Sequence, residues 1–245
     1  MTRNEIKSKD YFNDYIERQL NRISKYVDAI HINNYEVEQL KNLRSSICDI
    51  SLHELIAEYS RGDNVEKIKD TYCRLILTFE EGWKNVGGYV HMLWMLSIGV
   101  LLEVNDHDFH KLIKLVDSSH MKDYLIDYLI SNKIDNRKIS SKVMFEDPYK
   151  RMVDITKMDK NLAQANMYQY LEKYWYKGHS DSYWYGNHQS KHNTYFGYWS
   201  FESGALVKIL GLDDSVLKNC PYYPYDMVHW KEDKSTSKNS WTILD

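Results

Sequence analysis

The chain has 245 residues, a formal net charge of −3 and only three prolines. This length is enough for one large domain or two smaller ones, and a proline share well below the usual value of roughly 5% favours long helices. Because lysines and arginines alternate with acids throughout, no basic field is available to hold nucleic-acid phosphates, which excludes direct nucleic-acid binding.

The three isolated cysteines form no CxxC pair, which excludes a disulfide framework and a thiolate zinc site. The first residues show no apolar signal core, and the longest apolar run, residues 90–104, is too short and too interrupted to span a bilayer. We therefore expect a cytoplasmic protein with no membrane partner.

Six helices are predicted in the first half of the chain, because apolar residues recur there at three- and four-residue steps. Arg61-Gly62 and Gly87-Gly88 interrupt the pattern, and Asp63 or Asn64 is a suitable cap for the helix between them. Asp106 is expected to cap the fifth helix. In chain order the helices cover residues 10–32, 35–59, 65–83, 89–102, 106–116 and 122–131.

Residues 132–141 are polar, aperiodic and basic, so the domain boundary is placed there. The predicted domains are an N-terminal helical domain at 1–131, a C-terminal helical domain at 142–230 and a polar tail at 231–245. Beyond the boundary, helices are expected at 147–157, opened by Pro148, and at 161–176, capped by Asp159. No stretch alternates as a strand. The sequence thus predicts an all-α fold, a bundle of at least eight helices in two packed helical subdomains.

Residues 197–210 predict a further helix that is apolar over most of its circumference. Gly211 suits a left-handed cap, and Asp213 can then cap a short helix over 214–217. Glu202 is the exception in this apolar helix. Because a buried carboxylate is costly unless paired, it should either lie on the narrow polar face or be hydrogen-bonded to a Tyr, Lys or Arg, and we interpret it as a structural clamp and not a catalytic acid. The expected core comprises Tyr198, Trp199, Phe201, Glu202, Leu206 and Ile209.

The stretch GYWSFESGALVKILGLDD at 197–214, followed by YYPYD at 222–226, resembles the C-terminal domain of PoNi proteins, the immunity partners of the PoNe polymorphic nuclease toxins of bacteria. YQYLEKYW at 168–175 lies where that family has a helix rich in Tyr and Trp, and DYFNDYIERQLNRI at 10–23 is similar to its N-terminal domain. The resemblance covers about residues 9–230. It implies an all-helical immunity protein, not an enzyme, that neutralises a cognate nuclease toxin by direct contact.

Each catalytic motif in the chain lacks an essential member. His53-Glu54-Leu55-Ile56-Ala57 begins like HExxH but has no second histidine. The SxxK at 215–218 has no companion motifs, and the His, Ser and Asp within 178–182 have no GxSxG elbow. The residues therefore predict no enzymatic activity.

The best metal candidate is a loop cluster in which His188 and His192 are four residues apart. Isolated surface histidines are far commoner than ligands, so we expect no metal and no cofactor. A metal-dependent hydrolase remains an alternative function, as does a helical scaffold with no toxin partner. The cluster consists of His179, Asp181, His188 and His192.

Residues 174–198 mix many aromatic rings with Gly, Ser, Asn and His. That composition is typical of a recognition surface, but it also fits an ordered loop folded onto the following helix, and both interpretations stay open. Since a nuclease holds phosphates with basic residues, its inhibitor should present acids beside aromatic anchors. The predicted partner-binding residues are Asp181, Tyr183, Trp184, Tyr185, Asp213 and Asp214. The oligomeric state is left open.

Overall fold

The computed structural model describes residues 2–84 and 88–231. Within these ranges all regular structure is helical and no strand forms, so the all-α prediction is confirmed, with ten α-helices. In chain order these are α1 (Lys9–Ile32), α2 (Val37–Arg61), α3 (Val65–Gly82), α4 (Tyr89–Leu101), α5 (Asp106–Ser118), α6 (Tyr124–Ser131), α7 (Glu146–Ile155), α8 (Lys160–Gln169), α9 (Phe201–Leu210) and α10 (Tyr225–His229).

Side-chain and glycine caps set the ends of most helices. Asn64 starts α3 by accepting a hydrogen bond from the backbone N–H of Glu66, and Gly62 ends α2 in the left-handed conformation at φ 98°. The cap of α5 is Asn105 and not Asp106, because only the Asn105 side chain accepts from a backbone N–H of the first turn. These caps satisfy backbone groups that have no partner inside the helix.

Helix α4 is the central element of the fold. Twelve of its 13 residues are buried, as expected for a helix that is apolar all round. It packs against α5, α6, α9 and α10. The C-terminal end of α4 is tied to α9, because Lys208 donates to the carbonyl oxygen of Leu101 at 2.9 Å and pairs with Glu103 at 3.0 Å.

The segment 132–145, where the boundary between the predicted domains lies, is held against helix α6 by two buried aspartates. Asp127 accepts from Arg137 Nε at 2.9 Å and from the backbone N–H of Ser140 at 3.0 Å. Asp123 accepts from the backbone N–H of Met144 at 2.8 Å. The segment is therefore an ordered part of the fold. The tail predicted at 231–245 lies outside the described residues beyond Lys231.

Helix α9 begins at Phe201, later than predicted, because Gly197 has φ 120° and breaks the helical path. Tyr198 and Trp199 therefore precede the helix, although both are buried. A Cβ at Gly197 would lie 2.0 Å from Ser60 Oγ, and that hydroxyl accepts from Trp199 Nε1 at 2.8 Å. The close approach of residues 197–199 to α2 thus requires a glycine at this position.

Two further details around α9 differ from expectation. Phe201, Glu202 and Leu206 are buried as predicted, but Ile209 is only partly buried, because it lies in the last turn, which faces the surface. Residues 214–217 form turns and no helix. Gly211 does cap α9 in the left-handed conformation at φ 59°.

Candidate partner-binding site

Residues 175–200 connect the end of α8 to α9 through short turns that bury some aromatic rings and expose others. A π-helical turn over Tyr170–Tyr174 extends α8, and 3-10 turns follow at Lys177–His179 and Asn187–Gln189. In a segment with no regular period, the spacing of residues in the sequence does not reveal which side chains point to the same side. The structure is therefore needed to decide which rings a partner can reach.

Trp184 lies in the core and not on the surface. Its side chain is 2% exposed and stacks on Trp175, with ring centroids 5.6 Å apart and planes inclined by 24°. The rings of His179, Tyr198 and Trp94 also lie beside it, at centroid distances of 5.1, 5.5 and 6.1 Å. The prediction of Trp184 as a surface anchor is wrong, since burying a large apolar ring stabilises the fold more than exposing it.

Tyr183 and Tyr185, on either side of Trp184, are the exposed rings of this segment, at 65% and 37%. The Tyr185 ring stacks on Tyr176 at a centroid distance of 4.4 Å. Tyr183 projects further, and only its hydroxyl end is enclosed. Asp181 is exposed nearby in the sequence. These three predicted site residues thus share an accessible segment.

The hydroxyl of Tyr183 lies between two histidines that come from other helices. His53 Nε2 of α2 is 2.6 Å from the phenol oxygen, and His91 Nε2 of α4 is 3.0 Å from it. The other ring nitrogen of His91 lies 3.1 Å from the Asp49 carboxylate. The His53 ring also stacks on Phe196 at 4.2 Å. Two imidazoles and a carboxylate therefore fix one tyrosine.

If both imidazoles are neutral, the number of available protons fixes the direction of each hydrogen bond that links Asp49, His91, Tyr183 and His53. Asp49 accepts from His91 Nδ1–H, so His91 Nε2 carries no proton and accepts from the Tyr183 hydroxyl. The phenol has only one proton, so His53 must donate Nε2–H to its oxygen. Burial is the main cause that holds the pKa of His53 well below its ordinary value, which keeps that ring neutral.

An open groove of about 640 Å³ runs beside Tyr183. Helix α1 supplies one wall and the segment 183–196 the other. The groove contains both aromatic and polar groups, which is the mixture that protein-recognition surfaces use. Its lining includes Tyr15, Gln19, Arg22, His53, Tyr185 and Phe196.

Asp213 and Asp214 do not line this groove. Asp214 is 8% exposed and accepts from the Tyr223 hydroxyl at 2.8 Å and from His229 Nε2 at 2.9 Å. It holds the C-terminal segment to the fold, so the prediction of Asp214 as a rim acid is wrong. Asp213 is exposed and accepts from the backbone N–H of Ser215 at 3.0 Å. Its role in partner binding stays a prediction.

Two of the three histidines proposed as metal ligands, His179 and His188, use their side chains in structural hydrogen bonds. His179 is buried, with Nε2 2.9 Å from the Tyr149 hydroxyl and Nδ1 2.6 Å from the Trp175 carbonyl oxygen. Burial lowers the pKa of His179 to about 4, so the neutral ring donates at Nδ1 and accepts at Nε2. His188 Nδ1 lies 2.9 Å from the Tyr198 hydroxyl. Residues 2–84 and 88–231 bring together no three His, Cys, Asp or Glu side chains as a metal site.

Glu202 is a buried carboxylate inside the aromatic core. Its Oε1 accepts from Trp175 Nε1 at 2.6 Å and from Ser200 Oγ at 2.9 Å, not from the expected Tyr, Lys or Arg. Its Oε2 has no hydrogen-bond partner among the described residues. Burial raises the pKa of Glu202 to about 7. The arrangement supports the interpretation of Glu202 as a clamp that orders Trp175.

The fold and the site therefore define an all-helical protein whose accessible aromatic segment suits recognition of another protein. Two family models match the chain: "PoNe immunity protein (PoNi), N-terminal" over residues 3–114 and "PoNe immunity proteins (PoNi), C-terminal" over residues 121–227. The chain belongs to the PoNi family of immunity proteins, as the sequence resemblance indicated. PoNi proteins are inhibitors rather than enzymes, which confirms that prediction.

Among curated proteins no match is found. Among solved structures, the crystal structure of protein PA2201 from Pseudomonas aeruginosa is similar, with a TM-score of 0.69 and 17% sequence identity over 93% of this chain and 89% of that one. At this identity the similarity shows a shared fold. The two family models meet between residues 114 and 121, ahead of the boundary placed at 132–141, which stays a prediction.

No helix within the described ranges has both the length and the apolar character needed to cross a bilayer.

Proposed function

We propose that this chain binds a cognate PoNe-type nuclease toxin by direct protein contact and neutralises it in the cytoplasm of the cell that makes both. The observation that carries the proposal is the match to both halves of the immunity family, at residues 3–114 and 121–227. Direct inhibition also requires a surface that a folded partner can reach, and the exposed rings of Tyr183 and Tyr185 beside the groove supply one.

Charge supports the same partner. A DNA-cleaving enzyme needs basic residues to hold phosphates, and the exposed Asp181 and the half-exposed Asp49 lie in or beside the Tyr183 segment. Opposite charges across an interface accelerate encounter and disfavour wrong partners. The protein itself has a net charge of −3, which gives it no overall attraction to nucleic-acid phosphates.

The test is to purify the chain with a catalytically inactive PoNe-type nuclease domain encoded beside its gene. We expect a stable complex by size-exclusion chromatography and a dissociation constant measurable by calorimetry. With the active nuclease, an equimolar amount of the chain should stop cleavage of plasmid DNA. An unrelated nuclease serves as control and should cleave at its full rate.

A nuclease that neither binds the chain nor slows in its presence would refute the proposed function and favour the scaffold alternative. The hydrolase alternative has no supporting observation, because His179 and His188 are engaged in hydrogen bonds to Tyr149 and Tyr198.

A further inference from the structure

Tyr183 combines an exposed ring with an immobilised hydroxyl. The ring is 65% exposed, yet its oxygen contacts His53 at 2.6 Å and His91 at 3.0 Å. A surface tyrosine normally moves between rotamers, and losing that freedom when a partner binds lowers the affinity. In this protein two histidines on packed helices impose that restriction before binding. The geometry is that of a side chain prepared for contact.

The two histidines are themselves held. Asp49 fixes the His91 ring through Nδ1 at 3.1 Å, and Phe196 fixes the His53 ring by stacking at 4.2 Å with an interplanar angle of 12°. A hydroxyl needs one partner to be satisfied when it is buried. Two imidazoles around an exposed tyrosine exceed what stability alone requires. This excess is the observation that points to function.

The chemistry around the ring selects a cation. The face of a tyrosine ring attracts Arg and Lys. Burial of the hydroxyl end, followed by the charge of the Asp49 carboxylate, raises the pKa of the Tyr183 phenol, so this 46% exposed acid lies close to the ring. Asp181, two residues away, adds a second exposed acid. One cation of the chain, Arg22, also lines the groove. Its guanidinium donates to Gln19 Oε1 at 2.9 Å.

We propose that Tyr183 is a preformed anchor that receives an Arg or Lys side chain of the partner nuclease over its ring, with His53 and His91 as positioning residues and Asp49 as the counter-charge. This inference rests on the proposed function, because it assigns the partner's contact to a particular side chain. The proposal is more specific than a general aromatic surface, because it requires that the Tyr183 ring and the hydrogen bonds of its hydroxyl each contribute separately to binding.

Binding kinetics on the inactive PoNe-type nuclease domain separate these contributions. Tyr183→Ala should raise the dissociation rate about 30-fold, the level of an interface hot spot. Tyr183→Phe retains the ring but loses both hydrogen bonds, so it should raise that rate by several-fold only. Asp49→Asn keeps an oxygen for His91 but removes the charge, and should lower the association rate and flatten its salt dependence. Tyr168→Ala, at a tyrosine of α8 that is 41% exposed, is the matched control and should bind as wild type does.

A second measurement needs no partner. Side-chain 15N spectra of the free protein should show His91 protonated at Nδ1 and His53 protonated at Nε2, and the His53 signal should change in Tyr183→Phe. Each variant should first melt at the wild-type temperature.

If wild type binds the nuclease and Tyr183→Ala binds with unchanged rates, the anchor is refuted while the proposed function stands. Equal dissociation rates for Tyr183→Phe and Tyr183→Ala would refute the role of the ring. A His53 ring protonated at Nδ1 would refute the assignment of His53 as a positioning residue that donates to the Tyr183 hydroxyl. A wild-type protein that does not bind refutes the function and the anchor together.

Discussion

Replacing Glu202 by glutamine should stabilise the fold at pH 8 and change its stability much less at pH 4. The carboxyl group is 1% exposed, and only one of its oxygens, which accepts from Trp175 and Ser200, has partners among the described residues. An ionised carboxylate in such a place loses its hydration without full compensation. Glutamine resembles the neutral acid in shape and still offers an oxygen to Trp175.

The sign and size follow from the pKa. Burial raises the pKa of Glu202 to about 7 from an ordinary value of 4.5. Between these values the unfolded chain has released the proton that the folded protein keeps, so wild-type stability falls as pH rises through this window. The difference corresponds to about 3 kcal/mol. The stability advantage of Glu202→Gln should therefore grow by about this amount between pH 4.5 and 7 and stay constant above.

The assay is urea unfolding at several pH values from 4.5 to 8, followed by tryptophan fluorescence, with the free energy of unfolding of wild type subtracted from that of the variant. Subtraction removes other titrating groups, such as Glu54, whose pKa burial also raises to about 7. Glu17→Gln makes the same exchange at an exposed position of α1 and is the matched control for the substitution itself. A Glu202→Gln difference that is independent of pH would refute the raised pKa.

Three further substitutions test other parts of the structure. Trp184→Ala should destabilise the fold by about 3–5 kcal/mol, since it leaves a large core cavity; an unchanged melting temperature would place the ring on the surface after all. Gly197→Ala should cost about 2 kcal/mol in chemical unfolding, because φ is 120° and the new Cβ would meet Ser60 Oγ, and an alanine variant as stable as wild type would contradict this backbone path. Asp127→Ala removes the buried acceptor of Arg137 and of the Ser140 backbone N–H, although Asp117 still pairs with Arg137, and should destabilise by about 1–3 kcal/mol, with faster limited proteolysis within 132–145; equal cleavage rates would show that the segment is not held by this aspartate.

The helix ends could be predicted from the sequence because their causes are local. A cap such as Asn64 or Asp159 accepts from a backbone N–H two or three residues ahead, and a glycine such as Gly211 ends a helix through its own φ. All the partners lie within one turn. The start of α9 cannot be predicted in this way. Tyr198 and Trp199 are buried although they precede the helix, and a segment that is buried on several sides has apolar residues at every spacing, so it matches a helical pattern as well.

The candidate site depends on contacts between distant parts of the chain and could be predicted only in part. Composition indicates residues 181–185 as a recognition segment, but it does not tell which of Tyr183, Trp184 and Tyr185 faces inward. The only sequence pattern that includes His53 is an incomplete zinc motif, and no pattern indicates His91. They meet Tyr183 across sequence separations of 130 and 92 residues, so only tertiary packing of α2 and α4 against this segment brings them together.

The burial of α4 limits how immunity proteins of this family can be recombined. This helix lies in the half matched by the N-terminal family model, while α9, which packs along it, lies in the half matched by the C-terminal one. Two halves that share one interior must change in step, because a larger side chain on one helix needs a smaller one on its neighbour. Chimeras joined at residues 114–121 from divergent relatives should therefore fold poorly, and new toxin specificities should arise by surface substitution in an intact chain.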